Sequence, residues 1–114
     1  MGNVIEIKSF DFAVRIVNLS RHLCQRKKEF VMSKQLLCSG TSIGANVAEA
    51  QRAQSKADFN AKMNIALKES YETQYWLKLL YKTGYLTERE FVSMECDIKQ
   101  IVAILTAIYH KTNQ

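Results

Sequence analysis

The chain has 114 residues, 47 % of them hydrophobic and 24 % charged, with three cysteines, no proline and a formal net charge of +5. At that length residues 1–114 form one domain that buries about two-thirds of the surface its unfolded form exposes, so neither a disulfide framework nor a metal staple is required. No run approaches 18 apolar residues, and Met1 to Lys8 lacks an apolar stretch followed by a small-residue cleavage site, which argues against a membrane span or a leader and for a cytoplasmic protein. Cys24, Cys38 and Cys96 are odd in number and lack CxxC spacing, so buried free thiols are expected.

The first predicted helix starts at Phe10. Phe12, Ile16, Leu19 and Leu23 recur at steps of four, three and four, the spacing of a buried helical stripe. A second apolar set, Phe10, Val14, Val17 and Cys24, lies beside it and makes the face broader than one bundle seam needs, which points to cover by another subunit. Arg26-Lys27-Lys28-Glu29 ends the element. Ser33 is the expected amino-terminal cap of the second helix, whose stripe is Leu36, Gly40, Ile43, Val47 and Ala50.

Two glycines inside that second helix are its most informative feature. Each costs a helix roughly 1 kcal/mol against alanine, so Gly40 and Gly44 are expected to serve a close helix crossing, on a small-residue ridge continued by Ser39, Ala45 and Ala48. A phosphate-cradling loop would need four residues between its glycines and then Lys-Ser or Lys-Thr; the chain has three, followed by Ala45-Asn46.

Ser55 with Asp58 resembles a capping box and opens a third helix carrying Phe59, Met63, Ala66, Ser70, Thr73, Leu77 and Leu80, closed at Thr83 with Gly84 placed for a left-handed cap. Thr87 and Glu90 form a second capping box, with Leu86 and Phe91 as its hydrophobic staple. The fourth helix then repeats Phe91, Met94, Ile98, Ile101, Leu105 and Ile108 at three, four, three, four and three. Short connections between long amphipathic helices make the fold an all-α, antiparallel up-down-up-down four-helix bundle.

Chemistry is sparse in this pattern. A carboxylate-bridged metal pair needs Glu-x-x-His on two helices, whereas Glu69-x-x-Glu72 and Glu49-x-x-Arg52 contain no histidine, so no metal and no cofactor is expected. His22 and His110 sit near helix ends, away from any acid cluster at ligand spacing. No Gly-x-Ser-x-Gly turn or paired base activates a nucleophile, and the chain does not read as an enzyme. Ser42, Asn46 and Glu49 form a polar stripe beside the apolar seam of the second helix, expected to meet Lys68, Glu69, Ser70 or Tyr71 on a facing helix and fix its register. Tyr71, Tyr75, Trp76 and Tyr81 are read as core or subunit interface rather than as base-stacking groups.

The run Ser42-Ile43-Gly44-Ala45-Asn46-Val47-Ala48-Glu49, then Ser55 with Asp58-Phe59, then Ala66-x-x-Glu69-Ser70-x-Glu72-Thr73, and finally Thr83-Gly84-Tyr85-Leu86, resembles the four-helix bundle proteins encoded in intervening sequences of bacterial 23S ribosomal RNA genes. The resemblance spans about Phe10 to Tyr109. It implies an antiparallel bundle assembled into a ring of five, without an established enzymatic activity, and a relation to the accessory proteins of diversity-generating retroelements, which are basic pentamers that bind nucleic acid and a reverse transcriptase. Two positions depart from the family pattern: Cys38 replaces the arginine usual before the motif, and Ala50 a glycine common after the glutamate. The first removes a cation that nucleic-acid binding could use.

Two functions follow as expectations. The first is an oligomeric accessory protein that binds RNA or DNA, with Arg21, Arg26, Lys27, Lys28, Arg52 and Lys56 as candidate contacts; antiparallel topology puts the Arg26 and Arg52 groups at opposite ends of the bundle, so at most one of them is the site. The alternative is an oligomeric scaffold that binds another protein through the apolar surface of the first helix.

Overall fold

The computed structural model describes residues 3–112. Asn3 opens the first helix: its side chain accepts the Glu6 amide at 2.9 Å, and the Glu6 carboxylate accepts the Asn3 amide in return. Helix α1 therefore runs Val4–Gln25 and begins earlier than the apolar spacing suggests. The stripe is interrupted there by Ser9, which is buried with its hydroxyl bonded to the Glu6 carbonyl. Arg26 closes the helix, and Lys28, at φ 54°, redirects the chain.

Helix α2 spans Met32–Ala50, and its cap is not Ser33. Ser33 lies inside the first turn, and the Glu29 carboxylate does the capping, accepting the amide of Ser33 at 2.8 Å and that of Val31 at 3.3 Å. The Ser33 hydroxyl returns a bond to the Glu29 carbonyl at 2.8 Å. A carboxylate fits better than a hydroxyl here because it reaches two orphan amides at once and faces the positive end of the helix dipole. Cys24 Sγ, 3.4 Å from Ser33 Oγ, and Ser20, bonded to the Ser33 carbonyl, tie this turn to α1.

Helix α3, Lys56–Lys82, starts at Ser55, whose hydroxyl accepts the Asp58 amide; the Asp58 carboxylate takes the Gln54 amide rather than that of Ser55. Gly84 stands at φ 87°, the left-handed conformation that ends a helix at least cost when no Cβ is present. Helix α4, Glu88–Thr112, follows from the reciprocal bonds of Thr87 and Glu90.

The four helices pack as an antiparallel bundle of 44 × 24 × 20 Å, each against its chain neighbour, with α4 returning to α1 along the slenderest of the four seams. The stripes read from the sequence converge on one core: Phe12, Ile16 and Leu23 meet Leu36, Ile43, Val47, Ala66, Leu77, Leu80, Ile98, Ile101 and Leu105, all at or near zero exposure. Burial of that apolar set is what holds the helices together. Small polar residues inside the seams satisfy themselves, as Ser70 does on the Ala66 carbonyl and Thr73 on Glu69 and Ser39.

At the α1–α2 crossing a Cβ on Gly40 would stand 2.7–2.9 Å from three side-chain carbons of Ile16, and one on Gly44 would stand 3.2 Å from the Ser9 carbonyl oxygen. The thiols are free, but they are not buried as expected: Cys38 and Cys96 are exposed and Cys24 is half-buried. Both exposed cysteines sit between stripe positions on outward faces, where composition gives no sign of burial. Among the described residues no helix is long and apolar enough to cross a membrane.

Candidate nucleic-acid interface

Antiparallel packing gathers four helix termini at each end of the bundle. At one end the carboxy-termini of α1 and α3 meet the amino-termini of α2 and α4, and this brings Arg21, Arg26, Lys27 and Lys28 together with Lys34, Lys78, Lys82 and Arg89. The only acids there are Glu29, which is buried and bound to amides, Glu88 and Glu90, of which Glu90 holds the Thr87 amide. This end therefore carries five more cations than acids, which equals the formal net charge of the entire chain.

Ion pairing leaves the end untouched. The three ion pairs among the described residues are Arg15–Asp97 at 2.6 Å, Lys62–Glu49 at 3.1 Å and Lys99–Glu95 at 3.4 Å, none of which involves these eight cations. Lys82 lies 5.6 Å from the Tyr81 ring centre, a cation–π contact that leaves its charge available.

Arg52 and Lys56 are at the opposite end, in and after the α2–α3 turn, where Glu6, Asp11, Glu49 and Asp58 nearly balance Lys8, Arg52, Lys56, Lys62 and Lys111. The six sequence candidates thus divide four and two. Lys34, Lys78, Lys82 and Arg89 join the larger group although no dense basic run marks them, because three further helix ends supply them and only the topology unites them.

The polar stripe of α2 is mostly self-contained. Ser42 bonds the Cys38 carbonyl at 2.6 Å and Asn46 the Ser42 carbonyl at 2.8 Å, both within α2, and only Glu49 reaches α3, where it pairs with Lys62 rather than with residues 68–71. Half-exposed hydroxyl and amide groups find a carbonyl one turn back on their own helix, so no facing partner is needed. The Lys62 ammonium is held above its usual pKa by the bond to Glu49 and by that carboxylate's charge. Glu69 is raised above the usual carboxylate range, first by loss of water and then by Glu72 one turn away, against the opposing pull of Lys68.

An open cleft of about 460 Å³ between α1 and α4 holds His22, Glu90 and Ser93, the residue types of a hydrolytic triad. They do not form one. Ser93 Oγ accepts a bond from the Arg15 guanidinium at 2.8 Å, Glu90 is committed to its cap, and no hydrogen bond joins His22 to either. No group of three or more His, Cys, Asp or Glu that could hold a metal occurs among the described residues.

The flank opposite the core is apolar on α1. Phe10 is 68 % exposed, and Val4, Ile7, Val14 and Val17 also face outward. Gly44 and Ala48 of α2 continue this surface in a groove shared with Glu6, Ile7 and Phe10, and a shallow depression beside it is lined by Phe10, Ala13, Val14, Val17 and Asn18.

Comparison with known proteins adds a family. The family model for the 23S rRNA-intervening sequence protein matches residues 3–107. The chain is also similar to a crystal structure from Bacteroides thetaiotaomicron of a protein of unknown function from the S23 ribosomal protein family, with 56 % identity and a TM-score of 0.92 over 93 % of this chain and 98 % of that one. No curated protein matches the sequence.

Proposed function

This chain belongs to the family of 23S rRNA-intervening sequence proteins, and we propose that it works as a non-enzymatic, oligomeric accessory protein of the cytoplasm that holds RNA or DNA by the phosphate backbone at its basic end. The observation that carries this reading is the concentration of eight cations without ion pairs at one end, against a remainder of the surface that is close to neutral. Phosphate contacts of this kind release counterions and need no base-reading module. Assembly multiplies the effect. In a ring of copies, five as the family resemblance implies, even two phosphate contacts per subunit make binding strongly salt-dependent, since each neutralised phosphate adds about 0.9 to the slope of log affinity against log salt on duplex DNA and about 0.7 on single strands.

The test is a titration of labelled RNA and DNA at about 50 and 200 mM salt, with an Arg26→Ala/Lys27→Ala/Lys28→Ala variant and an Arg52→Ala/Lys56→Ala variant alongside. The first variant should bind weakly and with a shallower salt slope, and the second should resemble the parent. Absence of binding at the lower salt, or binding indifferent to salt, would leave the second reading in its place: an oligomeric scaffold for another protein, favoured by the exposed apolar flank of α1.

A further inference from the structure

The outer face of α3 carries a stripe that the core does not account for and that the basic end includes only in part. Lys68, Tyr71, Tyr75, Lys78 and Lys82 follow one another at steps of three, four, three and four, so they share one face of the helix. They are solvent-exposed, Tyr71 at 53 % and Tyr75 at 59 %. The other three aromatic residues of α3 are committed: Phe59 packs against the core, Tyr81 stacks on Phe91 at 4.6 Å with rings 8° from parallel, and the Trp76 indole donates to Glu72. Of the neighbouring acids, Glu72 accepts from that indole and Glu95 pairs with Lys99, while Glu69 stands beside Lys68 and feels its charge. What remains is two exposed tyrosine rings, Tyr75 touched edge-on by Trp76, interleaved with three lysines that form no ion pair among the described residues.

We propose that this stripe is a stacking platform for single-stranded nucleic acid that runs from the basic end down the outside of α3. The proposal rests on the nucleic-acid reading above and names its substrate class. An exposed tyrosine offers a flat face to any base, and that contact is closed to paired bases inside a duplex stack. Tyr71 and Tyr75 are four residues apart, about 6 Å along the helix axis, close to twice the roughly 3.4 Å rise per nucleotide of one strand, so one base can sit between the two rings. The lysines bracket the rings over about 21 Å of helix, and their charge complements a backbone passing over them. Lys78 and Lys82 belong to the basic end as well, so the stripe continues that surface rather than forming an isolated patch.

The experiment compares an unstructured RNA oligonucleotide, a DNA single strand of the same sequence and the corresponding duplex, each titrated against the intact protein, Tyr71→Ala, Tyr75→Ala and the matching phenylalanine variants, with helix content checked by circular dichroism. The parent should prefer both single strands to the duplex. Each alanine variant should lose about tenfold in single-strand affinity and leave duplex affinity unchanged, and phenylalanine should restore it, since the stacking face is retained. A second readout is Trp76, the one tryptophan in the chain, which meets Tyr75 edge-on at 5.1 Å. Its emission should change on binding of a single strand and not of the duplex. Equal losses on all three ligands, no loss in the alanine variants, or preference for the duplex would overturn the stacking site while salt-dependent binding at the basic end still stood. Failure of every ligand to bind would remove both.

Discussion

Gly40 decides how closely α1 and α2 approach. A methyl group there would fall within 2.9 Å of Cγ1, Cγ2 and Cδ1 of Ile16, a fully buried side chain with no free end to swing aside. Two effects oppose each other in Gly40→Ala. Helix propensity favours alanine by roughly 1 kcal/mol, while overpacking a filled contact costs about 1 to 3 kcal/mol. With three carbons in the way, the second should win. The variant should melt lower than the parent in a thermal scan, and Gly40→Ala combined with Ile16→Ala should show a coupling energy that offsets part of the combined loss. A higher melting temperature for Gly40→Ala alone would show that the helices can separate at no cost. Gly44 is the milder case, since its Cβ would meet the Ser9 backbone oxygen at 3.2 Å. Both glycines were legible in the sequence as a small-residue ridge. The partner was not, because a ridge without bulk shows that something comes near and says nothing of which helix supplies it.

The stripes of the four helices are written in the sequence because periodicity reports directly on burial, and the Ser55 cap and the Thr87–Glu90 capping box likewise because each lies within one turn; at Ser55 the shorter acid, Asp58, takes the Gln54 amide and the box is not completed. The ends of α1 and α2 are harder to read. Asn3 with Glu6 is a capping box ahead of a stripe broken by Ser9, and α2 is capped by Glu29, which lies before the turn and not at its last polar residue. A carboxylate that reaches forward over four residues leaves no local pattern. Glu29→Ala removes acceptors from the amide of exposed Val31 and from that of buried Ser33, and at the second replacement water has little access. Loss of such a cap costs about 1 to 2 kcal/mol. Chemical denaturation should show this loss with an unchanged slope, and hydrogen exchange should show the first turn of α2 losing protection first. Equal stability of variant and parent would mean that the turn is held by Ser33 and Ser20 alone.

At the scale of the whole molecule, unpaired cations gather at one end, where Phe30 and Val31 are exposed among them, and a longer row of exposed apolar side chains lines the α1 flank. The flank was legible as a second stripe on the first helix. The basic end was legible only in its Arg26-Lys27-Lys28 run, since the other contributors lie on three further helix ends that folding alone unites. A monomer in water would leave Ile7, Phe10, Val14 and Val17 bare next to the small residues Gly44 and Ala48, a contiguous arrangement of the kind that marks a protein contact. A second copy of the chain is the occupant that the family resemblance favours, and in a ring, where all copies point the same way, contact along this flank would set the basic ends of neighbouring subunits side by side. Val14→Glu/Val17→Glu tests this. Both positions already face solvent in the isolated bundle, so the fold should survive with its helix content intact. Desolvating two carboxylates against an apolar partner is costly, so the assembly should not form. Light scattering at micromolar concentration should report several subunits for the parent and about one, near 13.1 kDa, for the variant. The variant's salt slope on nucleic acid should fall toward that of a single subunit, because phosphates are then met by one basic end rather than several. A parent that scatters as a monomer, or a variant that keeps the parent's mass, would show that the α1 flank does not hold the copies together.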